Sequence, residues 1–240
     1  MSQEHSFATP GPAGLAALAV ACFGFAAVFL GLVKPGGLPL LGAWLIGGCL
    51  VQFTVAVMEL KDHNILGGNV FLFFSAFFML GAAISVFSKF LLLAGSGALI
   101  AQPAVAAAVK AAAAGLGSAV AAAPAAPAAP AVAQVFMFPK PDAYVEGWMW
   151  MAGAGFLTVV TPGYAKGNAL IFLLVILIDI ALWLIVGIDS GWYGNPAITK
   201  PIVGYCLIAG GWIGIYLAGA TVCNTVYGKP VFWVPKPLVK

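Results

Sequence analysis

Asp179 is the one carboxylate that falls near the middle of a long apolar run, with roughly ten apolar residues on either side. An ionisable group at such a depth is expensive, so by default it marks a substrate path, a proton site or a polar contact at a helix or subunit surface. Lys34, Lys166 and Lys200 stand at the ends of apolar runs, where a lysine either concentrates anions or sits at a lipid interface. The rest of the chain is poor in reactive groups. His5 and His63 lie in a polar tail and a polar turn, and Cys22, Cys49, Cys206 and Cys223 are scattered singly, with no C-x-x-C or Cys/His cluster. A metal needs three or four convergent ligands, so no metal site is expected. No cofactor is expected either, because Gly153-x-Gly155 lacks the third glycine, preceding strand and acidic partner of a dinucleotide fingerprint. Serine, histidine and carboxylate never assemble into a triad, and the chain is read as a non-enzyme.

The elements that hold these residues follow from composition. The 240 residues are 63% hydrophobic and 7% charged, against about 25% charged in an average soluble domain. So few charges cannot cover a water-facing surface. All 10 basic residues are lysine and the net charge is +3, which leaves bidentate phosphate recognition unsupplied and argues against a nucleic-acid partner. Residues 1–11, with Glu4 and no lysine, do not supply a secretory signal.

A membrane-spanning helix takes roughly 20 apolar residues, and six runs qualify: 13–33, 39–58, 68–93, 145–163, 168–188 and 202–222. The fold class is therefore all-α, a polytopic membrane protein with six transmembrane helices. The organisation reads as an N-terminal tail 1–11, spans one to three in 12–93, an Ala/Pro-rich insertion or linker 94–143, spans four to six in 144–222 and a tail 223–240. Within the insertion, 104–121 reads as a weak surface-lying helix and 122–141 as an extended linker, since alanine buries little area and prolines remove helix donors. The lysine bias of the short loops places both termini in the cytoplasm and the chain in the cell membrane. Gly42, Gly47, Gly48, Gly153, Gly155, Gly211, Gly214 and Ala218 supply small residues for close helix packing, inside one bundle or between subunits.

Several stretches resemble the acetate uptake transporter family. Thr9-Pro10-Gly11-Pro12-Ala13-Gly14-Leu15 is the counterpart of that family's Asn-Pro-Ala-Pro-Leu-Gly-Leu signature, with threonine in place of its leading asparagine. Gln52, then Glu59 followed by a polar turn and Gly67, match its pattern, and Phe71-Leu72-Phe73-Phe74-Ser75-Ala76-Phe77-Phe78 is similar to its aromatic third span. Gly211-Trp212-Ile213-Gly214-Ile215-Tyr216-Leu217-Ala218, Asn224 and Gly228-Lys229-x-Val231 are similar to its closing motif.

The resemblance implies a six-helix protomer with its own pore, assembled as a homo-hexamer in the lipid bilayer and passing acetate and related small carboxylates. It places the pore constriction at Leu18, Phe74 and Ile178, where the family uses phenylalanine, tyrosine and leucine. Gln52, Glu59 and Asn224 join Asp179 as candidates for a substrate path or proton site, and Thr9, Pro10 and Gly14 mark the N-terminal motif. A small carboxylic acid titrates near an unperturbed glutamate, at a pKa of roughly 4.3. Its anion meets a large desolvation cost at an apolar neck unless donors or a proton accompany it. Proton coupling fits that constraint. The alternative is a urea or short-chain amide channel of the same six-helix hexameric plan.

Overall fold

Long apolar runs become helices because a backbone in hydrocarbon must satisfy its own N–H and C=O groups. The computed structural model describes residues 8–95, 142, 144–192 and 195–239. Six long helices occupy them: α1 (Gly11–Phe29), α2 (Leu38–Lys61), α3 (Ile65–Gly95), α4 (Tyr144–Tyr164), α5 (Ala169–Asp189) and α6 (Pro196–Val226). By length and composition α1, α3, α5, α6 and α2 with its leading 3-10 turn are each able to cross a membrane. α4 has 21 residues, and its glycines, Trp148, Trp150 and Glu146 lower its hydropathy. The chain is thus an all-α integral membrane protein.

Polar residues set the boundaries. Asn64, Asn168 and Asn195 cap α3, α5 and α6 by accepting the N–H groups of Gly67, Ile171 and Ala197 at 3.1, 2.9 and 3.1 Å. His63 takes the left-handed conformation, φ 60°, that tightens the turn between α2 and α3. The last helix departs from its expected start at residue 202. The stretch from Asp189 to Lys200 reads as the break between the fifth and sixth spans, yet α6 begins at Pro196. Asn195 and Pro196 form the helix start, and Pro201, five residues further in, removes one hydrogen bond from the ladder without ending the helix.

α3 is not uniform. After Phe74 its backbone widens into a π-helical stretch, Ser75–Gly81, before returning to α geometry at Ala82. Such stretches re-aim side chains and are common at functional positions.

The packing runs in the order α2, α1, α6, α5, α4, and α3 closes between α2 and α4. Small residues bring α1 and α6 together: a Cβ on Gly214 would sit 3.3 Å from the carbonyl oxygen of Leu15. The positions a Cβ would take on Gly47 and Gly155 are open instead, on the outside of the bundle.

The chain divides into two compact units, Met1–Val86 with Asp142–Lys240, and Phe87–Pro141. The helix expected at 104–121 and the linker at 122–141 lie outside the described residues, as does His5.

Candidate functional site

The first unit encloses a cavity of about 200 Å³ that opens at the end of the bundle where α1 starts and α2 stops. Gly11, Glu59, Asn64, Gly67 and Tyr164 surround the opening. Leu15, Val70, Phe71, Ile171, Leu174 and Val175 form its walls, and Leu18, Gln52, Phe74, Leu157 and Ile178 lie deepest. Those last five are seven to nine residues from the ends of their helices, a depth of roughly 10–14 Å at 1.5 Å per residue. With about 30 Å³ per liquid water, this space suits a solute of a few heavy atoms.

The opening is built by a short polar clamp. Asn64 accepts Gly67 N–H to cap α3 and donates its amide N–H to the buried Glu59 carboxylate on α2. Gly11 carries the start of α1 past that carboxylate, since a Cβ there would lie 3.2 Å from Glu59 Oε1. Gly14, one turn further, has the Phe71 ring and Val55 where a side chain would go, at 2.7 and 3.0 Å. Alanine at position 14 therefore requires Phe71, a residue of the cavity wall, to shift. Pro10 is the last residue before α1 and Thr9 is exposed without capping the helix, so the motif contributes backbone shape.

At the deep end Gln52 is 1% exposed. Its Nε2 donates to the carbonyl of Gly14 over a long 3.4 Å, and its Oε1 has no partner among the described residues. Turning the amide over would set two oxygens against each other, so the free group is an acceptor. A buried acceptor without a donor costs free energy that a donating solute returns. Glu59 is the one carboxylate among the lining residues, and no lysine lines the cavity. Lys34, Lys166 and Lys200 are exposed at the helix ends.

Beyond the deep end the bundle is filled by rings. Phe25 and Phe78 lie 5.3 Å apart, Phe78 and Trp150 5.9 Å, and Phe74 joins Phe78 at 5.8 Å. Phe78 is fully buried and sits in the π-helical stretch. This ring cluster and the place of Asn64, Phe71 and Tyr164 in the cavity lining are not among the sequence candidates. The phenylalanine run signalled the first, but only three-dimensional packing adds Phe25 and Trp150. Asn64 reads only as part of the polar turn after Glu59, and nothing in the sequence marks Tyr164.

The sequence candidates thus fall into different places. Leu18, Phe74, Ile178, Gln52 and Glu59 line one cavity, while Asp179 and Asn224 lie outside it. Asp179 is turned about 100° from Ile178 on α5 and is held by Thr158 Oγ1, 2.9 Å from both carboxyl oxygens. Asn224 fastens the tail: its Oδ1 accepts the N–H groups of Val231 and Phe232 at 2.7 and 2.8 Å, and its amide donates to Phe232 O. Tyr216 donates to Trp233 O at 2.6 Å, and Leu238 and Val239 donate to Ala165 O in the turn between α4 and α5. No group of three or more metal-ligating side chains converges among the described residues.

No family model and no curated protein matches the sequence. Among solved structures the chain is similar to the bacterial acetate channel SatP, with a TM-score of 0.63 and 17% identity, over 95% of this chain and 99% of that one. At that identity the likeness is one of fold.

Proposed function

We propose that the chain is a membrane channel of the acetate uptake transporter type, passing acetate and related small carboxylates through each protomer. The observation that carries the reading is the small cavity ending at Leu18, Phe74 and Ile178, with the unpartnered Gln52 acceptor beside them. The fold shared with an acetate channel supports it, as does the run of matched motifs from Thr9 to Val231. Apolar side chains exclude hydrated ions from such a neck.

The form that crosses is the neutral acid. A carboxylate anion reaching Gln52 would meet another acceptor, having passed Glu59 without a lysine among the lining residues. The protonated acid instead donates its O–H to Gln52 Oε1, so each molecule carries its own proton and uptake follows a pH gradient. Assembly as a hexamer, with both termini in the cytoplasm, belongs to the same proposal. It rests on the family resemblance and on the lysine bias of the loops.

A second reading keeps the site and changes the solute. An amide N–H also satisfies Gln52 Oε1, which favours urea or a short amide. Uptake of labelled acetate and labelled urea into proteoliposomes separates the two. Saturable acetate uptake that an inside-alkaline gradient accelerates supports the first reading, and urea uptake indifferent to pH, with no acetate flux above protein-free vesicles, overturns it.

A further inference from the structure

Asp179 stands ten residues from either end of α5, about 15 Å from each at 1.5 Å per residue, in the middle of a hydrocarbon layer of about 30 Å. It is half-buried, it does not line the cavity, and its neighbours Thr158 and Ile180 are exposed on the outside of the bundle. Thr158 Oγ1 accepts Trp183 Nε1–H at 2.9 Å, and its one proton is shared between the Asp179 carboxyl and Ala154 O, also at 2.9 Å. Both carboxyl oxygens lie 2.9 Å from that one hydroxyl, so a single shared proton serves the two of them. A carboxyl at this depth does not face lipid tails at tolerable cost, so protein covers it.

The same chain offers a matching surface. Trp212, near the middle of α6, is 63% exposed and carries an indole N–H donor at comparable depth. Beside it Phe23, Ala27, Leu30 and Ile208 line an outward apolar groove of about 270 Å³. Val159, next to Thr158, protrudes from α4 with 79% exposure, and Gly155 leaves open space one turn before it. Going round the bundle from the α4/α5 groove, α6 and then α1 follow. The α4/α5 and α1/α6 grooves are therefore two helix positions apart, about 120°, the angle between contact faces in a closed ring of six.

We propose that the α4/α5 face at Thr158, Asp179 and Trp183 seats a second copy of this chain. Val159 enters the groove beside α6 of that copy, and the indole N–H of its Trp212 supplies the Asp179 carboxyl with a second donor beside the shared Thr158 hydroxyl. Asp179 is then an assembly residue. The contact concerns assembly and holds whichever solute the cavity conducts, so its test reads association and leaves uptake as a separate measurement.

The test places a photo-reactive benzoylphenylalanine at Ile180, which is 44% exposed, in the full chain in lipid nanodiscs, and maps the adducts by mass spectrometry. A link to α6 of a second copy supports the contact. Asp179→Leu is expected to weaken self-association roughly 3- to 20-fold, the range of single interhelical hydrogen bonds in membranes. Asp179→Asn, which keeps an acceptor, restores it. If Asp179→Leu fails to insert, Trp212→Phe reads the same bond from its other side while keeping the ring. Links to lipid alone, links to another helix, or wild-type association in both Asp179→Leu and Trp212→Phe overturn the proposal.

Discussion

The two halves of the bundle solve one packing problem in opposite ways. Around the start of α1 and the end of α2 the helices leave about 200 Å³ unfilled, with polar groups at the opening. In the other half Phe25, Phe78 and Trp150 fill the same axis with rings 5.3–6.5 Å apart. Helix number and length do not distinguish the halves. What does is residue size at the axis: Gly11 and Gly14 bring α1 up to Glu59 and Phe71 in the open half, and a π-helical stretch crowds rings into the closed half. In the proposed channel the junction, at Leu18, Gln52, Phe74 and Ile178, is the step from an open vestibule to an apolar neck.

The sharpest way to break this contrast is at the junction itself. Gln52→Leu removes the acceptor while roughly keeping volume. Loss of that hydrogen bond costs about 1–3 kcal/mol, a fall of roughly 5- to 150-fold in the initial rate of acetate uptake. Unchanged uptake would take Gln52 out of the path.

Phe78→Ala attacks the closed half. Losing a fully buried ring costs about 3–5 kcal/mol of stability, read as a lower thermal midpoint in detergent. The opened axis is expected to pass acetate faster, with the neck at Leu18, Phe74 and Ile178 still setting the size limit. Wild-type flux in a folded variant would show that the rings seal nothing the solute meets.

Ile178→Ala sharpens the contrast by widening the neck alone. The expected result is lactate uptake raised relative to acetate by about tenfold, as for about 1.4 kcal/mol off a steric barrier. Selectivity retained in alanine variants at Leu18, Phe74 and Ile178 alike would remove all three from the constriction.

Two smaller effects bound the site. Asn224→Ala frees the tail by removing its hydrogen bonds to Val231 and Phe232. It is expected to speed proteolysis after Tyr227 while leaving acetate uptake within about twofold, since distant independent sites act separately. Replacing 104–138 with a short Gly/Ser linker is expected to leave insertion and uptake unchanged, because every residue lining the cavity lies in the first unit. Failure of either variant to conduct would extend the functional region beyond the cavity.

Legibility in the sequence followed the strength of the local signal. Apolar runs gave the six spans, because length and hydropathy decide insertion. The start of α6 falls earlier than residue 202, since the polar stretch from Asp189 to Lys200 looks like a break until Asn195 and Pro196 are seen to begin the helix. Facing directions were harder. α5 is apolar on all sides, so no amphipathic stripe says which way Asp179 turns, and only Thr158 and Trp183 on the folded surface answer it. The deep residues Leu18, Phe74 and Ile178 came from resemblance, whereas the rings of Phe25 and Trp150 meet Phe78 across three helices and leave no mark in any one segment.

The most direct measurement is the pH dependence of acetate flux, above that of protein-free vesicles, in proteoliposomes at equal pH on both sides and constant total acetate. If the neck passes the neutral acid, flux falls about tenfold for each pH unit well above the acid's pKa of roughly 4.3, and Gln52→Leu lowers it throughout. Flux that stays level from pH 6 to 8 would mean that the anion crosses, and would contradict the role assigned to the Gln52 acceptor.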